Sequence, residues 1–169
     1  MKHIGIISDT HSYLDDKVFK YFDVCDEVWH AGDIGDIDVA NKLAAFKPLR
    51  AVYGNIDGSD VRGEYPEELL FDCEGQKIYM THIGGNPSKY VPKVQAKIVE
   101  YKPSFFICGH SHILKIVSDK LFQNMLYLNP GAAGVHGFHH IRTIVRLKIE
   151  EGRIFDLQVI ELGKRGTTS

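Results

Sequence analysis

A chain of 169 residues, 44% hydrophobic and 25% charged, is sized for one globular domain with a real core. Its 20 basic and 22 acidic side chains leave a formal net charge of −2, without the basic excess of a general nucleic-acid binder. No apolar run approaches the roughly 20 residues that span a bilayer, and the opening MKHIGIISDTHS turns polar too soon for a signal peptide, so a cytoplasmic protein with no membrane partner is expected.

In chain order, residues 2–8 (KHIGIIS) read as a short buried strand. Residues 15–22 begin with Asp and space Val18, Phe19 and Phe22 as a helix does. EVWH at 27–30 is a second strand, 36–46 a second helix that Pro48 ends, and 49–53 a third strand. This β-α-β-α-β order with short connections implies a parallel sheet covered by helices. The pattern then changes. Residues 68–74 and 76–82 flank Gly75 as a hairpin. A helix is predicted over 88–101, with Pro92 in or before its first turn, and a strand over 104–108. Residues 113–118, 125–128, 139–149 and 153–161 form a largely antiparallel run, interrupted by a loop at 131–137 and a turn at 150–152. The expected architecture is α/β, two packed mixed sheets with helices outside, in one domain over 1–163 followed by a flexible tail at 164–169. The C-terminal strands offer an edge through which a homo-oligomer could form.

Cys25, Cys73 and Cys108 are widely spaced and make no C-x-x-C pair, so they read as small core residues. The nine histidines are more informative, because several follow apolar strands directly. The polar groups at strand ends are Asp9-Thr-His11, Gly32-Asp33, Gly54-Asn55, His82 and Gly109-His110-Ser-His112. Open α/β sheets bind ligands outside the carboxyl ends of their strands. If these loops stay extended, side chains two apart point the same way, so Asp9 and His11 reach one point, as do His110 and His112. Gly32, Gly54 and Gly109 let the backbone turn sharply as each strand ends. Imidazole with carboxylate favours Mn²⁺, Fe²⁺, Co²⁺ or Zn²⁺ over Ca²⁺ or Mg²⁺. Seven such side chains are too many for one ion with an open position and suffice for two that share a carboxylate. Two divalent ions outweigh Asp9 and Asp33 in charge even after a bridging hydroxide is counted, so the site should attract a phosphate ester. Alone, D-x-H is a weak signal, Gly-Asp and Gly-Asn are turn signals first, and GHSH is a moderate one; their succession at five strand ends is strong.

The series SDTH, AGD, GNID, a lone TH and GHSH resembles the calcineurin-like metallophosphoesterases, and the short length resembles their small bacterial and archaeal phosphodiesterase subgroup. The match runs from Ile4 to about Gly134. The resemblance implies a four-layer α/β/β/α sandwich. It also implies hydrolysis of phosphodiesters, with monoesters open, by a hydroxide activated between two divalent ions. Manganese is the first expectation, with Fe, Co, Ni or Zn as alternatives. By motif position, Asp9, His11 and His112 would hold the first metal, Asn55, His82 and His110 the second, and Asp33 both. One departure stands out. Many members read G-N-H-[DE], where the histidine helps to protonate the leaving oxygen; here the stretch is Gly54-Asn55-Ile56-Asp57. Ile56 cannot donate a proton. Asp57 keeps the acidic position, as a catalytic or ligand-orienting candidate. His136, which with His139 and His140 follows NPGAAG, is a candidate substitute acid. The expected partner is a small phosphate ester, with nucleic acid still open as a substrate. The rival reading is a protein-interaction scaffold, because a eukaryotic trafficking-complex subunit resembles the same subgroup; the complete set of seven ligand-type side chains favours an enzyme.

Overall fold

The computed structural model describes residues 1–166. Alternation along the first strand, β1 (Lys2–Ile7), sets the layering. Ile4 and Ile6 enter one apolar core and Ile7 enters another. Gly5 shares the face of Ile7, and a Cβ there would sit 2.8 Å from the Phe22 ring. The missing side chain is what lets helix α1 (Lys17–Phe22) lie close on the sheet.

The first sheet continues through β2 (Glu27–His30), α2 (Ile37–Phe46) and β3 (Leu49–Ala51), with β1, β2 and β3 parallel. Helix α2 starts where the Asp36 side chain accepts from the Asp38 N–H, and it buries Val39, Ala40 and Leu43. Helix α3 (Ser59–Glu64) follows. The second sheet begins with the hairpin β4 (Glu68–Cys73) and β5 (Gln76–Thr81). A two-residue ladder, β6 (Gly85–Asn86) with β7 (Lys89–Tyr90), leads into α4 (Pro92–Tyr101), with Pro92 in its first turn. Strand β8 (Phe105–Ile107) pairs parallel with β5 and with β10 (Met125–Asn129), and β9 (Lys115–Asp119) closes that edge antiparallel. The chain then returns to the first sheet as β11 (Ile141–Glu150) and β12 (Arg153–Lys164). The spatial orders are β12-β11-β1-β2-β3 and β4-β5-β8-β10-β9.

Ile4, Ile6, Trp29, Ile78, Met80, Phe105 and Ile107 fill the space between the sheets. Val18, Phe22, Val39 and Leu43 fill the layer under α1 and α2, and Tyr79, Val94, Ile98 and Phe106 that under α4. This is the expected four-layer α/β/β/α sandwich with two mixed sheets. All three cysteines are free and buried within these cores. Among the described residues no helix is long and apolar enough to cross a membrane.

Several boundaries differ from the sequence reading. Helix α3 carries no helical period, because Val61 is its one buried side chain and Gly63 lies inside it. The predicted helix at 88–101 begins only at Pro92, because the backbone before it is spent on the β6–β7 ladder. Strand β12 extends to Lys164, and the Arg165 N–H donates to the His140 carbonyl, so the first two residues of the expected tail are hydrogen-bonded into the fold. Residues 167–169, the end of the segment expected to be flexible, lie outside the described residues.

Candidate metal centre

The chain leaves β1, β2 and β3 of one sheet and β5 and β8 of the other at a common edge, and there seven predicted side chains gather. Ligand atoms of Asp9, His11 and His112 lie within 4.8 Å of one another, and so do those of Asp33, His82 and His110. The two groups touch through Asp33. Its Oδ2 is 3.4 Å from His11 Nε2 and 3.2 Å from His82 Nε2. Asp9 Oδ1 is 3.2 Å from His112 Nε2. Asn55 Oδ1 stands 3.0 Å from His110 Nδ1, which places it with the second group.

Three of these atoms, Asp9 Oδ1, His11 Nε2 and His82 Nε2, are buried without a hydrogen-bond partner. Buried polar atoms are seldom left unsatisfied, because each costs about 1–3 kcal/mol. Here the orphans face each other across one small volume, which suits a cation that accepts their lone pairs. The side chains have been aimed for that. His82 Nδ1 donates to the Ala31 carbonyl at 2.8 Å, which leaves Nε2 bare toward the cluster. Asp9 Oδ2 accepts from Ser8 Oγ at 2.7 Å and from the His110 N–H at 3.2 Å, which leaves Oδ1 free. Asp33 Oδ1 accepts from the Ile56 N–H, which leaves Oδ2 free.

The loops are not extended. Asp9, His11, Asp33, His110 and His112 all have φ between 45° and 73°, the left-handed region that non-glycine residues avoid. This corrects the period-two expectation for GHSH: His110 and His112 point into different groups, as their motif positions imply. The strain is concentrated where ligand-type side chains sit, as it is at many functional sites. The glycines also act differently from the expectation. Gly32 does turn, at φ 102°. At Gly54 and Gly109 what matters is approach: a Cβ would collide with Asp33 at the first and with Ser8 at the second.

The electrostatics favour positive charge in the cluster. Burial raises the Asp9 carboxyl, but the His11 and His112 rings outweigh it and hold Asp9 well below the usual carboxylate range. Asp33 is held low in the same way, against burial, by His11 and His82. The Asp33 and Asp9 carboxylates beside its ring push His11 up to about 9. His82 is lowered by burial and raised more by Asp33 and Asp9, so its net shift is upward.

The sequence profile of the calcineurin-like phosphoesterase superfamily domain matches residues 1–152. The chain belongs to this superfamily. It is 29% identical over 165 residues to a probable metallophosphoesterase of Methanothermobacter thermautotrophicus, covering 95% of this chain and 92% of that one. It is 28% identical over 155 residues to a probable metallophosphoesterase of Methanocaldococcus jannaschii, covering 88% and 76%. Among solved structures, Entamoeba histolytica Vps29 complexed with Zn²⁺ superposes with a TM-score of 0.72 over 97% of this chain and 99% of that one. Its 16% identity makes that a likeness of fold alone.

As a member of the superfamily the chain departs from G-N-H-[DE] at a surface position: Ile56 is 47% exposed at the rim of the cluster. Asp57 is buried, and its carboxylate accepts from the Ile34, Gly35 and Gly54 N–H groups at 3.2, 2.8 and 2.7 Å. It ties the Asp33 loop to the Asn55 loop and does not face the cluster. His136 is exposed and stacks on His11, with ring centroids 4.8 Å apart. His139 meets His112 edge-on at 5.2 Å and donates from Nε2 to the Gly134 carbonyl. His140 is exposed. His30 lies behind the centre, where burial pushes it down to about 4. Neutral, it accepts the Gly32 N–H at Nδ1 and donates from Nε2 to Thr10, whose hydroxyl donates on to the Ile34 carbonyl.

Two contributors gave no sequence signal. Arg62 in α3 donates to the carbonyls of Asp57, Gly54 and Asn55 and so pins the Asn55 loop. Asn129 donates to the Gly109 carbonyl and to Ser111 while accepting from Gly131, which braces the GHSH loop. A lone Arg in an unpredicted helix and an Asn before a Pro are both common, so neither could have been singled out.

Proposed function

We propose that this protein is a metal-dependent phosphoesterase that acts on phosphodiesters of small organic groups, with monoesters as slower substrates. The observation that carries the reading is the convergence of unpartnered Asp9 Oδ1, His11 Nε2 and His82 Nε2 around Asp33 Oδ2. Asp9, His11 and His112 would hold one divalent ion, Asn55, His82 and His110 a second, and Asp33 would touch both. The mixed imidazole and carboxylate donors suit manganese, with Fe, Co, Ni or Zn as alternatives. Such ions supply Lewis acidity toward a phosphoryl oxygen and a nucleophilic water at neutral pH. The protein's own residues do the rest. Asp33 and Asp9 set the charge, His82 and His112 are held with Nε2 inward, and the strained loops keep the ligands from relaxing apart. No histidine stands at position 56 to donate a proton to the leaving oxygen. His136, whose ring stacks on His11, is the candidate for that role.

The test is hydrolysis of bis-p-nitrophenyl phosphate by protein loaded with Mn²⁺, against the same protein with chelator. His110→Ala and His112→Ala should each abolish turnover while circular dichroism stays native; activity retained in both would overturn the assignment. A scaffold is the second reading, and one observation favours it. Ile56, Ile83, Ile113 and Phe138 are exposed apolar side chains adjoining the predicted ligands or their loops, and Phe138 is 98% exposed. Metal binding without hydrolysis of any ester would favour that reading.

A further inference from the structure

Beside the second ligand group lies a cavity of 320 Å³. It opens between α3 and the first turn of α4, and most of its lining lies outside the sequence motifs. His82 and Asn55 belong to its wall, so it is continuous with the candidate metal centre. Tyr53 lines it, with the Arg62 guanidinium 4.4 Å from the ring centroid. Arg62 is fixed there by its bond from Nε to the Asp57 carbonyl at 2.6 Å. Ile83, Val91 and Val94 supply apolar lining, and Lys93 and Glu67 add a 2.6 Å ion pair.

We propose that this cavity receives the organic arm of the ester hydrolysed at the metal centre, and that the arm is an aryl or heteroaryl group with a polar edge. The proposal rests on the phosphoesterase reading and adds the substrate class. Size is the first argument: small-molecule sites run from about 300 to 1,000 Å³, so this one admits a single ring system and not a polymer segment. Shape and polarity are the second. The Tyr53 ring with the Arg62 guanidinium over it, together with branched aliphatic side chains, makes surfaces that suit a flat ring. Lys93 and Glu67 have side chains 61% and 53% exposed, so they can turn to a donor or acceptor on the ring edge without being dug out of the core. An alkyl tail would make no polar contact with that pair, and a fully hydrated arm would gain nothing from Ile83, Val91 and Val94. Position is the third. A phosphorus held by the His82 and Asn55 group brings one ester arm to the cavity mouth.

Titration calorimetry of the Mn²⁺-loaded protein with phenylphosphonate and with methylphosphonate tests this without turnover. Both probes anchor through the same anion and differ only in the arm. Phenylphosphonate should bind about tenfold tighter, the equivalent of burying part of one ring. Ile83 is 40% exposed, so substitutions there spare the core. Ile83→Trp should fill the mouth and bring the affinity ratio close to one, and Ile83→Ala should lower it severalfold. Leu121→Ala, in a different surface hollow, should leave the ratio as in the wild type. Equal affinities in the wild type, or a ratio that neither Ile83 variant changes, would overturn the pocket while leaving the metal centre intact. If neither phosphonate binds and bis-p-nitrophenyl phosphate is not hydrolysed, the phosphoesterase reading itself falls, and the pocket with it.

Discussion

Ile56 and Asp57 are neighbours with opposite roles, which their positions in the sequence do not reveal. Ile56 replaces a proton donor at the rim. The wild-type rate should therefore fall steeply as the leaving group becomes more basic, because general acid help worth about 10²–10⁴-fold is missing. Ile56→His should raise alkyl-ester rates most and p-nitrophenyl rates least; a wild-type rate insensitive to leaving-group pKa would show that another group already donates. Asp57 is a buried brace that accepts three backbone N–H groups. Asp57→Ala would orphan these donors, at about 1–3 kcal/mol for each that water cannot reach. Metal affinity should drop about 10–100-fold with it, since the loops carrying Asp33 and Asn55 lose their tie. Denaturant melts and metal titrations measure both, and turnover at saturating metal should suffer much less. An acidic residue two positions beyond an asparagine ligand is legible as important. Whether it faces the cluster or braces from behind is not, because that depends on which backbone donors another loop brings to it.

At the scale of elements, strands with alternating or continuous apolar runs were the readable part. β1, β2, β5 and β8 fall where the pattern puts them, since two-sided burial demands such sequences. α3 was unreadable because it is held by Arg62 and Val61 and not by an apolar stripe. The loops between elements carry the site, and their conformation came out opposite to the simplest assumption. Five ligand-type residues sit at positive φ because backbone bonds across loops hold them there, such as the Asp9 N–H to Gly32 and the His11 N–H to Asp33. Gly54→Ala tests this tight fit directly. Its methyl group would meet the Asp33 carboxylate and backbone, so metal binding should be lost by calorimetry although circular dichroism remains native. Normal metal affinity in that variant would show that the Asp33 loop has more slack than the structure gives it.

For the molecule as a whole, the inter-sheet core is what brings the two halves of the site together. Asp9, Asp33 and Asn55 come from one sheet and His82, His110 and His112 from the other. The cluster therefore couples metal loading to the packing of both sheets. Its pH dependence has a definite sign. With chelator present, His11 is raised from 6.5 to about 9, so its contribution is complete below 6.5 and fades as pH rises toward 9. Asp9 and Asp33 are lowered from 3.8, so their share persists above that value and is lost only in stronger acid. Ligation needs a neutral imidazole, so metal stabilisation grows over the window where the bare protein weakens. Melting temperatures between pH 6.5 and 9 should fall with chelator and rise, or fall less, with Mn²⁺. Parallel curves would show that the cluster does not bind metal in the folded state. Elsewhere Arg142 and Asp15 form a buried 2.7 Å pair that joins β11 to the start of α1. Arg142→Ala should cost about 3–5 kcal/mol in denaturant unfolding, because it leaves the buried Asp15 charge uncompensated.

The order of motifs and the apolar periods were enough to determine the layered α/β/β/α architecture, the family and the identity of the gathered side chains. Those properties reside in residue type and spacing, which a sequence states directly. The tertiary structure alone decided that the GHSH loop is left-handed and not extended, that Asp57 braces from behind, and that Arg62, Tyr53 and the first turn of α4 enclose a cavity beside His82. These depend on backbone angles set by hydrogen bonds across loops and on segments separated by tens of residues. No local pattern encodes such relations.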